Sequence, residues 1–311
     1  MIARFLKIII LLLCLLCCGC ERMQGDIDFT QVQPESSSQS RQGSSYAQKP
    51  LRIAFASVIS PIETRRSYQE MVRYISEQLG RPAVLVQRKT YEELNMLLAG
   101  AEADVAFVST GAYSAYNGVI PLELLAMVQT EGTVYYRAYI IVRADSNITQ
   151  FAQLQGKTFA FTDPLSYSGR LAVDYMLMES YDTTAEKFFH KCFYTYNHDK
   201  SVWAVANKLA DGAGIDSQIY DYAKRTDPDL DKKIRIIKVM EPTPSGPVVM
   251  RQDLPQEEKH RLQEIFYHMD EDPRMAQAMH QAIIDKFVAP EPEAYEPLKL
   301  KYQHRERLPE G

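Results

Sequence analysis

Lys157-Thr158-Phe159-Ala160-Phe161-Thr162-Asp163-Pro164-Leu165-Ser166-Tyr167-Ser168-Gly169-Arg170 reads as a strand, a polar turn and the opening of a helix. The alternating run ends at Asp163-Pro164, and Leu171, Val173, Tyr175, Met176 and Met178 then carry an apolar helical pattern. A helix N-terminus behind a serine-rich turn gathers backbone N–H groups and two hydroxyls, which suits an anion. The helix dipole favours negative charge there by up to about 1–2 kcal/mol. Read alone, the segment is equally a serine-capped helix after a turn. Its surroundings decide between the two.

Strand and helix patterns alternate on both sides of it. Leu51–Ser57, Ala83–Gln87, Asp104–Val108 and Tyr136–Val142 read as strands. Ser67 with Glu70 and Thr90 with Glu93 form capping-box patterns that start helices stopped by Gly80 and Gly100. Strands near Cys192–Tyr196, at Ala213–Asp216 and at Ile234–Val239 follow, with helices from Asp199 to Leu209 and up to Lys224. The run Glu241-Pro-Thr-Pro-Ser-Gly-Pro247 is expected to break the chain before a strand at Val248–Met250. Two helices behind Pro255 and Pro273 close the pattern. Such β-α-β repetition calls for parallel sheets covered by helices.

The N-terminus is of another kind. In residues 1–20, Arg4 and Lys7 precede an apolar run too short for a membrane span, so it reads as an export signal. It ends in Gly19-Cys20, which resembles a bacterial lipobox with Cys20 as the lipidated mature N-terminus. Residues 1–19 are then the signal peptide, and an ordinary signal cleaved elsewhere is the alternative. Residues 20–50, with six serines and several glutamines, are the lipidated end and a flexible tether. Four of the five cysteines lie in this leader, which leaves Cys20 and Cys192 in the mature chain. No disulfide framework or cysteine metal site follows, and Cys192 reads as a small core residue.

Of the net charge of −5, Arg4 and Lys7 leave with the leader, which takes the mature chain to −7. An acidic balance argues against nucleic acid but leaves an anionic ligand open, since local donors decide recognition inside a cleft.

From Leu51 to about Tyr302 the chain resembles the phosphonate/phosphite/phosphate-binding proteins of ABC transporters. The matching stretches are LRIAFASVISP, TYEELNMLLAGAEADVAFVSTGAY, YYRAYIIVRADS, LQGKTFAFTDPLSYSG and YNHDKSVWAVANKLADGAGIDS, in that order. The resemblance implies an α/β, two-lobe type 2 periplasmic binding-protein fold, with two crossing hinge strands and the ligand in the interlobe cleft. Lobe 1 would be 51–137 plus 245–311, and lobe 2 would be 138–244. The family's oxyanion loop falls on Ser166, Tyr167, Ser168 and Gly169, with Tyr167 where a small hydroxyl residue is common. If that ring enters the pocket, it should restrict the ligand to phosphate or phosphite size. Cleft positions also fall on Tyr91, Tyr136, His198 and Asp216, with Thr110 and Gly111 as wall residues.

Structural alternatives stand beside these. Tyr91 could pack on the sheet, Tyr135 or Tyr139 could take the place of Tyr136, His198 could flank a helix, and Asp216 could cap one. The function implied is a lipid-anchored extracytoplasmic solute-binding protein. It would deliver a small phosphorus oxyanion to an ABC permease, without cofactor or catalysis, and be held to the bilayer through Cys20. A sensor of the same fold that docks on a signalling receptor is the alternative. A Cys192–His198 catalytic pair is excluded by reach, because six extended residues span about 20 Å.

Overall fold

The structure is a computed structural model that describes residues 49–56 and 61–306; the expected signal peptide, Cys20 and tether lie outside these. β1 (Leu51–Ala56), α1 (Pro61–Leu79), β2 (Ala83–Arg88), α2 (Tyr91–Ala99), β3 (Val105–Phe107), α3 (Thr110–Ala115) and β4 (Leu122–Gln129) come first. β5 (Tyr135–Arg143) carries the chain into a second sheet. There follow β6 (Thr158–Phe161), a π turn (Tyr167–Leu171), α4 (Ala172–Tyr181), α5 (Ala185–Phe188), β7 (Lys191–Tyr194), α6 (His198–Ala206), β8 (Gly212–Asp216), α7 (Ser217–Thr226) and α8 (Leu230–Lys233). β9 (Ile234–Pro244) returns to the first sheet, completed by β10 (Pro247–Arg251), α9 (Gln256–Tyr267), α10 (Ala276–Gln281), β11 (Lys286–Val288) and α11 (Glu296–Glu306).

The strand orders are β11-β4-β10-β3-β1-β2 and β7-β6-β8-β5-β9. Each sheet is apolar on both faces. In the first, Ile53, Phe55 and Phe107 pack on one side and Ala54, Ala106 and Val249 on the other. In the second, Phe159 and Phe161 oppose Ala160 and Ala213. Burial on both sides explains why these strands read as nearly unbroken apolar runs.

Both sheets are mixed, which corrects the expectation of parallel ones. β1 pairs in parallel with β2 and β3, whereas β10 runs antiparallel to β3 and β4. β5 is antiparallel to both β8 and β9. The difference arises where the chain changes sheets, because a strand arriving from the other lobe enters against the local direction. The proline run also behaves differently from expectation. Pro242 and Pro244 lie within β9, opposite Arg137 and Tyr135. β9 is the sheet's edge, where a missing N–H leaves no outer neighbour unpaired.

Two further differences are local. The helix expected to start at Ser67 already runs from Pro61. Ser67 is buried, and its hydroxyl donates to Gln281 Oε1 at 3.2 Å instead of capping. Exposed Arg65 and Arg66 add no apolar period, so the first turns were silent in the sequence. By contrast, Thr90 and Glu93 make the expected reciprocal capping box on α2.

Candidate functional site

The two lobes meet around a cavity of about 120 Å³. By this measure one water takes roughly 10–15 Å³, so a ligand of a handful of heavy atoms fits. Five chain segments reach its wall with the first residues of a helix or π turn: Tyr91 of α2, Thr110 of α3, Ser168 of the π turn, His198 of α6 and Gln218 of α7. The positive ends of helix dipoles therefore converge from both lobes, although the Tyr91 and Gln218 N–H groups already donate to Asp163 and Asp216. Among the described residues, no lysine or arginine is in the wall.

Ser166 caps the π turn, its Oγ accepting the Gly169 N–H at 3.1 Å. Having accepted that bond, its hydroxyl proton remains free to donate toward the cavity. The imidazole of His198 is buried, and burial pushes its pKa down to about 3. It is neutral at physiological pH. Its Nδ1 accepts the Asp216 N–H at 3.1 Å and lies 3.2 Å from the Thr162 hydroxyl. The proton therefore belongs on Nε2, which lies 3.4 Å from Ser166 Oγ. His198 thus offers a donor without a charge.

Tyr136 sits against Thr110 and Ser168, and burial raises its pKa, as it does for Tyr91. Both phenols stay protonated and able to donate. Asp216 caps α7 through Oδ1, which accepts the Gln218 N–H at 2.7 Å, and it also faces the cavity. Burial raises its carboxyl to about 7. The capping reading and the cleft reading are therefore both realised in one side chain.

Other proposed residues lie elsewhere. Tyr167 does not line the cavity. Its ring is 6.4 Å from that of Tyr175, so the expectation that it narrows the pocket is corrected. Along the π turn and its cap, Ser166 and Ser168 face the cavity and Tyr167 between them does not. Gly169 is a packing position, since a Cβ there would lie 2.8 Å from Ser166 Oγ. Gly111 is an interlobe contact, where a Cβ would meet the Leu165 carbonyl and come within 2.8 Å of Tyr167 N. Of the three neighbouring tyrosines, Tyr136 lines the cavity, Tyr135 is exposed and Tyr139 stacks edge-on against Tyr220.

Three lining residues had no functional signal in the sequence. Tyr68 looked like another apolar position of its helix, and burial raises its hydroxyl pKa to about 12. Gln218 follows an ordinary cap, yet its buried Nε2 has no partner among the described residues. Ser245, within the proline run, is the third, and its hydroxyl, with one proton to donate, lies within reach of both the Val128 and Val134 carbonyls, at 2.7 and 2.9 Å.

Contacts across the cleft close the cavity. Asp163 of the second lobe accepts the Tyr91 N–H at 3.2 Å, and the Ser109 hydroxyl donates to the Leu165 carbonyl at 3.3 Å. Ile219 packs on Ile283, a β-branched residue at φ 61°. Its carbonyl accepts the Thr130 hydroxyl at 2.7 Å, which helps hold that unfavourable conformation.

Comparison with known proteins agrees with this architecture. The family described as ABC transporter, phosphonate, periplasmic substrate-binding protein matches residues 53–295. The phosphonates-binding periplasmic protein of Escherichia coli is 29% identical over 150 residues, which is 47% of this chain and 44% of that protein. The chain thus spans less than half the length of that relative. Among solved structures, a binding component of an ABC phosphonate transporter from Pseudomonas aeruginosa superposes with a TM-score of 0.74 at 20% identity, over 83% of this chain and 87% of that one. A Prochlorococcus marinus protein in complex with methylphosphonate gives 0.75 at 14% identity, over 84% of this chain and 100% of that one. At these identities the structural likeness is one of fold, the two-lobe type 2 periplasmic binding-protein fold. With a family match across 53–295, the chain belongs to the periplasmic substrate-binding proteins of ABC phosphonate transporters, a family of binders and not of enzymes.

Proposed function

We propose that this protein captures a small phosphorus oxyanion (phosphate, phosphite or a short phosphonate) in the interlobe cavity and presents it to an ABC permease. The observation that carries the reading is a cavity of about 120 Å³ ringed by helix N-termini and uncharged donors. Ser166, Ser168, Tyr91, Tyr136 and the Nε2–H of His198 supply hydrogen bonds, and the dipoles favour the charge. Four or five charge-assisted bonds at roughly 1.5–3 kcal/mol each suffice for micromolar binding, about −8 kcal/mol, after ordering costs. Closure is then a population shift toward the lobe arrangement in which both sets of donors reach the ligand. A thermal-shift screen of phosphate, phosphite, methylphosphonate, aminoethylphosphonate and sulfate tests the reading. Stabilisation by phosphorus oxyanions above sulfate is expected, and no stabilisation by any of them would refute it.

The second half of the proposal is the anchor. Gly19-Cys20 behind an apolar run supports acylation of Cys20, which would hold the protein on the outer face of a membrane, with residues 21–50 as the tether. Cys20→Ser should release the protein from membranes or leave the leader uncleaved. An intact mass showing a mature chain that starts elsewhere, without acyl groups, would refute it.

A further inference from the structure

Beside the oxyanion cavity lies a larger pocket of about 760 Å³, also walled by both lobes. Arg65, Arg88 and Lys89 face it from the first lobe, and Tyr196 and Lys200 from the second. The same segments line both: Tyr68 lies three residues beyond Arg65 on α1, Tyr91 two beyond Lys89, and His198 two beyond Tyr196. Charge sets the two apart. Among the described residues, the inner cavity has no lysine or arginine in its wall, whereas the outer pocket has four and no aspartate or glutamate.

None of these four cations has a carboxylate partner among the described residues. Glu93 approaches Arg88, but its Oε2 is committed to the backbone N–H groups of Lys89 and Thr90, both at 3.0 Å. Lys89 reaches across the lobes to lie 4.4 Å from the Tyr196 ring centroid. That ring sits on a backbone at φ 64°, a conformation uncommon outside glycine. Bringing Lys200 up to three cations opposes closure by like-charge repulsion. The cost is the less expected because the chain carries a net charge of −5 and has acids to spare. A multiply charged anion between the lobes reverses the sign of that term.

We propose that this pocket is a second anion site, for a free polyphosphate-class compound, and that its occupation draws the lobes together. Guanidinium forks at Arg65 and Arg88 suit phosphate oxygens, and ammonium groups at Lys89 and Lys200 complete the neutralisation. The volume lies in the range of sites for organic ligands, well above that of the inner cavity. The site does not depend on what the inner cavity binds.

Calorimetry of inorganic tripolyphosphate with the full-length protein tests this directly. One molecule per chain is expected, with binding retained in Ser166→Ala and in the presence of saturating methylphosphonate. Arg88→Gln and Lys200→Gln, one from each lobe, should each weaken it about tenfold or more. Both side chains reach solvent, so thermal melting of the variants without ligand should match the parent. Absence of saturable binding, loss of binding in Ser166→Ala, displacement by methylphosphonate, or unchanged affinity in both charge variants would each overturn the proposal. A slower association of methylphosphonate in the charge variants without tripolyphosphate binding would also overturn it, since the pocket would then only steer. Methylphosphonate binding is measured separately, so failure of the outer site leaves the inner one intact.

Discussion

Asp216 and His198 touch through the backbone, and burial moves their pKa values in opposite directions. The carboxyl is raised to about 7 from 3.8 and the imidazole lowered to about 3 from 6.5. The raised carboxyl contributes stability that is full below about 4 and lost as pH rises through 7. The depressed imidazole contributes stability that is full above about 6.5 and lost as pH falls through 3. Between pH 4 and 6.5 the two slopes oppose each other. In urea unfolding of the ligand-free protein, Asp216→Asn should therefore gain stability with pH more steeply than the parent across that window; parallel curves would contradict the burial argument. Ionised Asp216 also repels a bound anion, so the affinity of Asp216→Asn relative to the parent should grow as pH rises past 7. The ligand's own titration is common to both proteins and cancels from this ratio, and a ratio flat with pH would remove Asp216 from the site. Tyr167 makes the opposite kind of prediction. Because its ring lies toward Tyr175, Tyr167→Thr should leave the order of ligand affinities unchanged, and a broadened ligand range would put the ring back in the pocket.

Among elements, the decisive contact is between the start of α3 and the turn before α4. Gly111 approaches the Leu165–Tyr167 backbone with no room for a Cβ, and this contact exists only when the lobes meet. Gly111→Ala should hold the cleft ajar and weaken methylphosphonate binding by at least tenfold, with the melting temperature of the ligand-free protein little changed; unchanged affinity would show that closure does not need this contact. The capping box at Thr90 and the strand-turn-helix at Lys157–Arg170 were legible because each is decided within a few residues. The sheets' mixed direction was not, because it depends on which lobe a strand comes from. β4 and β11 also went unread: β11 is a three-residue edge strand, and β4, inside the sheet between β11 and β10, is an apolar run without period-two alternation. Tyr68 and Gln218 were illegible for a third reason, since the opposite lobe makes their environment functional. The π turn was hidden too, its Leu171 N–H to Ser166 carbonyl bond at 3.0 Å leaving no mark in apolar spacing.

Across the whole molecule, two adjacent antiparallel strands, β5 and β9, carry the chain between the lobes, and every proposed donor lies beside that crossing or on a helix aimed at it. Affinity and closure are then one process. Residues in the first lobe contribute Tyr68, Tyr91 and Thr110, the second lobe contributes Ser166, Ser168 and His198, and neither half makes a site alone. The direct test is calorimetric titration of methylphosphonate into the full-length protein and into variants carrying Ser166→Ala, Ser168→Ala, or both. One site per chain with micromolar or tighter affinity is predicted for the parent. Each single change should weaken binding by roughly 10- to 150-fold, the equivalent of about 1.5–3 kcal/mol for a lost hydrogen bond to a charged group, and the double change should weaken it further. Undiminished affinity in the double variant would contradict the assignment of the interlobe cavity as the oxyanion site.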